Sequence, residues 1–309
     1  MNFPSLCHRV WCATAAACAV SLVAFLNCGR VNAEPPKAPT EDEVKKIAAA
    51  LPEKATAQPA KPRKLLIFNR CEGFYHDSIH CGAAALKMLG EKTGAYTAVI
   101  SDDMAMFEPA KLNAFDAVVF NNTTALKFEN PEHRQALLDF IRNGKGLVGF
   151  HGGADNLYNW PEGAALTGAL FDGHPWGRCP VKIDDPAHPL VKAFGGKGFW
   201  IDDEIYKFRT PYTREKLRVL LSMDAAKGDP NKQGRADGDN AVAWIQQVGQ
   251  GRVFYASLGH RHDIFWNPTI LQFYLDGVQY ALGDLAADAT PSAKLQPQPQ
   301  PALPPEKSK

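Results

Sequence analysis

Residues 146–155 read GLVGFHGGAD. A short apolar run bounded by glycine has the pattern of a buried strand. Glycines at 149, 152 and 153 then let the chain reverse sharply without a Cβ clash. Such a strand-to-loop turn holds its central side chain at the margin of a sheet, as a nucleophile elbow holds a serine or cysteine. Here that side chain is His151, an imidazole able to act as base, metal ligand or donor but a poor acyl-transfer nucleophile.

Working outward, strand and helix patterns alternate. KLLIF (64–68), residues 96–100, residues 115–120 and GLVGF (146–150) are apolar runs suited to a parallel sheet. Residues 78–92 carry Ile79, Ala83, Leu86 and Leu89 at helical spacing and close at Gly94. Asn130 caps a second helix with Pro131 at its first position, ending at Gly144. Beyond the turn, residues 164–170 read as a short helix, and 181–183, 199–208, 217–222 and 241–248 as strands. RVFYASL (252–258) is a late strand and residues 268–282 a closing helix. The expected fold is an open, mostly parallel α/β sheet with helices on both faces and an antiparallel insertion before the last strand.

The ends differ in composition. An apolar stretch from Val10 to Leu26 follows a weakly basic start, and Val31-Asn32-Ala33 suits signal-peptidase cleavage before Glu34. Residues 1–33 are therefore expected to be a leader of an exported protein, periplasmic or extracellular, with no membrane insertion after cleavage. An uncleaved anchor, or lipid on Cys28 despite a poor lipobox, are the alternatives. Residues 34–63 read as a Pro/Ala/Lys-rich linker holding one short helix, capped by Thr40 and stopped by Pro52. Residues 64–284 form the α/β domain, and the Pro/Gln-rich residues 285–309 are expected to be disordered.

The chain has 309 residues, 34 Lys+Arg against 33 Asp+Glu, and 45% apolar residues. Near-neutrality without a basic stripe removes nucleic acid from the expected partners. Four of seven cysteines fall in the leader. Cys71, Cys81 and Cys179 remain, an odd set without CxxC spacing, so neither a disulfide framework nor a zinc knuckle is signalled. A Cys71–Cys81 bridge is conceivable but has no support in the spacing.

Ligands in open α/β sheets bind beyond the carboxyl ends of the strands. Four such segments carry polar residues: 69–77 with Tyr75 and His76, 121–124 with Asn121, 151–155 with His151 and Asp155, and 259–263 with His260, Arg261 and His262. Three of them deliver histidine. Within DDEIYKF (202–208), alternation puts Asp202, Glu204 and Tyr206 on one face. His151, His260, Glu204 and Asp155 are the candidate catalytic residues. His76, Tyr75, Asn121, Tyr206 and Arg261 are the candidate substrate-binding residues. His76, His151, His260 and Glu204 would also suit a divalent, zinc-like metal as N/O ligands. His262 is expected to face solvent or support its neighbours, and His174 and His188, each before proline, read mainly as turn formers and stand as minor candidates.

GFYHDSI (73–79), GLVGFHGGAD (146–155), DDEIYKF (202–208) and GRVFYASLGHR (251–261) together resemble the ThuA-like family, named for trehalose utilisation, over residues 64–284. That resemblance implies a flavodoxin-like fold similar to class I glutamine amidotransferases, whose elbow carries a cysteine where this chain has His151. Without a thiol there, the usual acyl-enzyme route is closed. The resemblance further implies carbohydrate metabolism: a small-molecule carbohydrate partner, plausibly a keto-sugar or glycoside, processed by a hydrolase, lyase or isomerase. Tyr75, Trp160, Trp176 and Tyr206 are then candidates for packing on sugar rings. A non-catalytic sugar-binding module on the same fold is the alternative, an amidase using Cys71 is a third reading, and oligomerisation is left open.

Overall fold

The computed structural model describes residues 38–229, 231–297 and 303–306, with the side chain of Trp176 left out of that description. The leader, including Cys28 and the cleavage site, lies outside the described residues, as does the ring of Trp176. Along the chain the elements are α1 (Glu41–Ala50), β1 (Lys64–Phe68), α2 (Ile79–Thr93), β2 (Thr97–Ser101), α3 (Pro109–Leu112), β3 (Ala117–Asn121), α4 (Pro131–Arg142) and β4 (Gly146–Phe150). They continue with α5 (Pro161–Thr167), β5 (Leu170–Phe171), β6 (Trp176–Ile183), β7 (Phe199–Ile205), β8 (Phe208–Arg209), β9 (Arg218–Met223), β10 (Ala241–Val248), β11 (Gly251–Ala256) and α6 (Pro268–Leu282).

Nine strands form one sheet in the order β2-β1-β3-β4-β11-β10-β9-β6-β7. Strands β2, β1, β3, β4 and β11 pair in parallel. Strands β10, β9, β6 and β7 extend the sheet antiparallel from β11. The open α/β sheet expected from the alternating patterns, and the flavodoxin-like arrangement that the family resemblance implies, are therefore present, and the segment between β4 and β11 supplies the antiparallel half.

Strand periodicity explains the two layers. Leu65 and Ile67 of β1 join Leu86, Leu89 and Leu271 on one face, and Leu66 and Phe68 join Leu137, Ile141 and Trp160 on the other. A strand buried on both faces has no polar side to show, hence the continuous apolar runs. Each parallel strand ends at the same margin, so the loops after β1, β3, β4 and β11 share one rim.

Two segments outside this frame are bound rather than loose. Thr40 and Glu43 make a reciprocal capping box at the start of α1, and Ile47 is fully buried in the main core. The N–H groups of Thr56 and Ala57 donate to Gln279 Oε1 at 2.9 and 3.1 Å, and Arg63 Nε donates to Asp284 at 2.9 Å. Residues 41–63, expected as a linker with one helix, thus lie along the domain. At the other end, Val219 N–H donates to Ser292 Oγ at 2.8 Å and Arg218 pairs with Asp288 at 3.3 Å. Low apolar content pointed to disorder from residue 285 onward, but here hydrogen bonds and ion pairs fix the stretch up to 295. Among the described residues no helix is long and apolar enough to cross a membrane.

Candidate functional site

His151 sits immediately after β4, on a 3₁₀ turn (His151–Ala154), with φ +44°, in the left-handed region. The glycines that follow are required by contact. A Cβ on Gly152 would lie 2.7 Å from Thr124 Oγ1, and one on Gly153 would lie 2.7 Å from the Phe120 carbonyl oxygen. The turn is also tied down: Gly152 N–H donates to Asn122 Oδ1 at 3.0 Å, and Tyr255 Oη donates to the His151 carbonyl at 2.7 Å. His151 Nδ1 lies 2.7 Å from the Ser257 carbonyl. A carbonyl only accepts, so Nδ1 carries the proton and the neutral ring's lone pair is on Nε2.

His260 follows β11 through Gly259, whose φ is +134°. Three groups fix that loop. Ser78 Oγ and Asn122 Nδ2 donate to the Gly259 carbonyl at 2.8 and 3.2 Å. The buried Asp203 carboxylate accepts from the N–H groups of Gly259 and Arg261 at 2.7 and 2.9 Å. Burial pushes the Asp203 carboxyl up, and His151 with these N–H donors works against that rise.

Strand β7 brings Glu204. In the sheet order β7 stands four places from β11, about 19 Å away in a flat sheet with strands about 4.8 Å apart. Yet Asp203 bonds the loop after β11, and Glu204 Oε1 lies 3.5 Å from His151 Nε2 and 3.6 Å from His260 Nδ1. The antiparallel half therefore coils back, in the sense in which strand twist accumulates, and its edge strand closes over the rim.

One ligand atom from each of His76, His151, Glu204 and His260 lies within 4.8 Å of the others. The rings of His76 and His151 are 4.7 Å apart, those of His76 and His260 5.2 Å, and those of His151 and His260 5.3 Å. His151 Nε2 and His260 Nδ1 are buried without a hydrogen-bond partner. Buried polar atoms are rarely left so unless a water or ion completes them. Donors on tetrahedral zinc lie about 3.4 Å apart, given bonds of about 2.1 Å, close to the two Glu204 distances. Three imidazoles and a carboxylate fit a divalent cation of this kind.

The electrostatics divide the carboxylates. Burial would lift Glu204, but the adjacent His151, with His260 and His174, holds it below the usual range, whereas burial leaves Asp155 raised. Burial, with His151 and His260 alongside, drives His76 down to about 3, so its ring is neutral at physiological pH.

Other expected site residues fall in different places. Tyr206 is buried with its ring 4.1 Å from that of His151, and Tyr75 stands exposed on the loop after β1. Asp155 follows the elbow and accepts from Tyr158 Oη. Arg261 pairs with Asp263 at 2.9 Å on the lining of an open cleft of about 420 Å³, which also includes Glu204, His260 and His174. Asn121 is fully buried below the rim and donates to Asn69 Oδ1 and the Ile79 carbonyl, both at 2.9 Å, so it fastens β3 to α2. Trp160 is core, 5.5 Å from Phe128, and so is not available to a sugar ring. His76 does not serve the start of α2: Ser78 occupies the N-cap, and His76 is buried in the cluster with Nδ1 3.3 Å from Thr124 Oγ1.

The site also draws in residues to which the sequence reading gives little or no weight. His174 Nδ1 stands 3.4 Å from Glu204 Oε2, and Phe74, 66% exposed, lies edge-on to His76 at 4.9 Å. Asp203 could have been found by alternation, which turns it inward where a carboxylate needs donors. Asn122 lies in the polar segment 121–124 after β3, with nothing in the sequence to set it apart from its neighbours. All three cysteines among the described residues are free. Cys71, the thiol of the amidase reading, donates to the Phe74 carbonyl at 3.1 Å and is raised by burial.

A sheet whose parallel half carries a histidine-bearing elbow and a ring of imidazoles at its carboxyl margin defines a flavodoxin-like α/β protein whose elbow lacks the nucleophile of acyl transfer. A family model described as ThuA, Trehalose utilisation, matches residues 64–281. The chain belongs to that family, and its role is carbohydrate-related. A ThuA-like protein of Bacteroides uniformis is similar in structure, with 24% identity, TM-score 0.60, and coverage of 77% of this chain and 99% of the other. A ThuA-like protein of Parabacteroides merdae has 18% identity, TM-score 0.55, and coverage of 74% and 93%. No curated protein matches the chain significantly.

Proposed function

We propose that this protein is an enzyme acting on a sugar, with an oxidised (keto) sugar or glycoside as the substrate class and proton transfer beside its carbonyl as the chemistry. The observation that carries this reading is the convergence of four donor groups, from four separate chain segments, on one rim open to a cleft. A divalent cation such as zinc, held by His76, His151 and His260 beside Glu204, would keep a fourth position open and there polarise a carbonyl or hydroxyl oxygen of the sugar. Paired groups whose environments push their proton affinities apart divide into base and acid. Glu204, held below the usual carboxylate range and facing the cleft, takes the proton, and Asp155, whose proton affinity burial raises, is the group that returns one. His174 and Arg261 on the cleft lining bind and orient hydroxyl groups, and exposed Phe74 and Tyr75 offer ring faces at the mouth. Export through the leader would place this activity outside the cytoplasm.

The test is turnover on a panel of keto-sugars and glycosides, paired with elemental analysis of the purified protein. The expected result is about one zinc-like ion per chain in this cluster, lost in His151→Ala. Glu204→Gln should lower kcat by about 10²–10⁴-fold, the usual contribution of a positioned base, with sugar affinity retained. Sugar binding without turnover by the native protein on every member of the panel would instead make this a binding module.

A further inference from the structure

A second group of donors lies where no motif pointed. Glu43 on α1, His80 and Cys81 on the first turn of α2, and His262 after β11 each place one ligand atom within 4.8 Å of the others. We propose that these four residues form a separate transition-metal site, with zinc the ion its donors suit, that clamps the N-terminal helix onto the α/β domain.

The donor set is one sulfur, two imidazoles and one carboxylate, a mixture that favours zinc over magnesium or calcium. Cys81 is fully buried and unbridged, and its Sγ is 3.5 Å from His262 Nδ1. Glu43 Oε1 is 2.6 Å from the same nitrogen, and the His80 and His262 rings stand 5.1 Å apart at 83°.

Two features outside the four residues aim them. Glu43 Oε2 takes the Thr40 N–H and hydroxyl at 2.7 and 3.0 Å, so the capping box of α1 leaves Oε1 turned toward His262. His262 Nε2 lies 3.1 Å from Asp77 Oδ1. A carboxylate on the far nitrogen of an imidazole is how metal-binding histidines are commonly oriented. The ligands come from chain positions far apart, so an ion there ties residues 41–50 to the start of α2 and the end of β11. Such an ion binds the folded chain and not the unfolded one, and so stabilises the docked helix.

Cobalt(II) separates this site from the first cluster, because only a thiolate ligand gives a near-ultraviolet sulfur-to-cobalt charge-transfer band. Metal-stripped full-chain protein is titrated with cobalt(II). The band is expected at about one equivalent, present in His151→Ala, absent in Cys81→Ser and at least about tenfold weaker in cobalt affinity in His262→Gln. Zinc should also slow proteolysis between α1 and β1 in the native protein but not in His262→Gln. Cobalt uptake without the band, or a band that survives Cys81→Ser, overturns the proposal. His262→Gln leaves the buried thiol in place and so decides the matter even if Cys81→Ser does not fold.

Discussion

His151 shows how a few contacts make a side chain chemically specific. The Ser257 carbonyl takes one nitrogen, and the other is left buried beside Glu204 with no hydrogen bond. Asp203 does comparable work at one remove, since it fixes the loop that carries His260 through two backbone N–H groups. In Asp203→Asn one acceptor oxygen becomes an amide that faces a donor, so one of the two ties is lost. Metal affinity in the first cluster should fall by about 10–100-fold, the usual cost of losing a supporting partner, and competition with a chromophoric chelator measures it. Unchanged affinity in a folded variant would remove Asp203 from that role. His151 and His260 were legible because each stands beside glycines at the end of an apolar run. His174 was not, because a histidine before proline looks the same in any turn.

At the scale of elements, α1 and β7 contrast. The capping signal of α1 lay in Thr40-Glu41-Asp42-Glu43, and the helix forms there. Its destination depends on Ile47, one apolar side chain whose burial is decided by what it meets. Ile47→Ala should lower the unfolding free energy by about 2–5 kcal/mol, the usual cost of emptying a buried aliphatic site, as read from denaturant midpoints. A shift near zero would mean that α1 contributes nothing to the fold's stability. For β7, alternation puts Asp202 and Glu204 on one side and the buried Asp203 on the other, but no local pattern indicates that this edge strand reaches the end of β11.

Across the whole molecule, α6 joins the segment after α1 to the sheet, and a buried carboxyl lies on that seam. Asp276 accepts from Thr56 Oγ1 at 2.5 Å and Gln272 Nε2 at 2.9 Å, and burial raises it to about 6 despite these donors. Between the ordinary carboxylate value and about 6 the folded protein keeps a proton that the unfolded chain releases. The stabilisation is therefore complete below about pH 4 and is lost as pH rises to about 6, by up to about 3 kcal/mol. Asp276→Asn should flatten that part of the stability–pH curve in equilibrium unfolding. An unchanged slope would show that Asp276 does not titrate there.

The sequence by itself determined the order of strands and helices along the chain, the elbow and the sheet margin that carries its histidines. Each of these follows from periodicity and glycine placement among near neighbours in the chain. The tertiary structure alone decided which donors meet. Glu204 reaches the imidazoles because the antiparallel half of the sheet coils through four strand spacings, and Glu43 reaches Cys81, 38 residues further along the chain, because α1 docks beside α2. Those approaches depend on accumulated twist and on burial against distant partners, which leave no mark on the residues immediately around them.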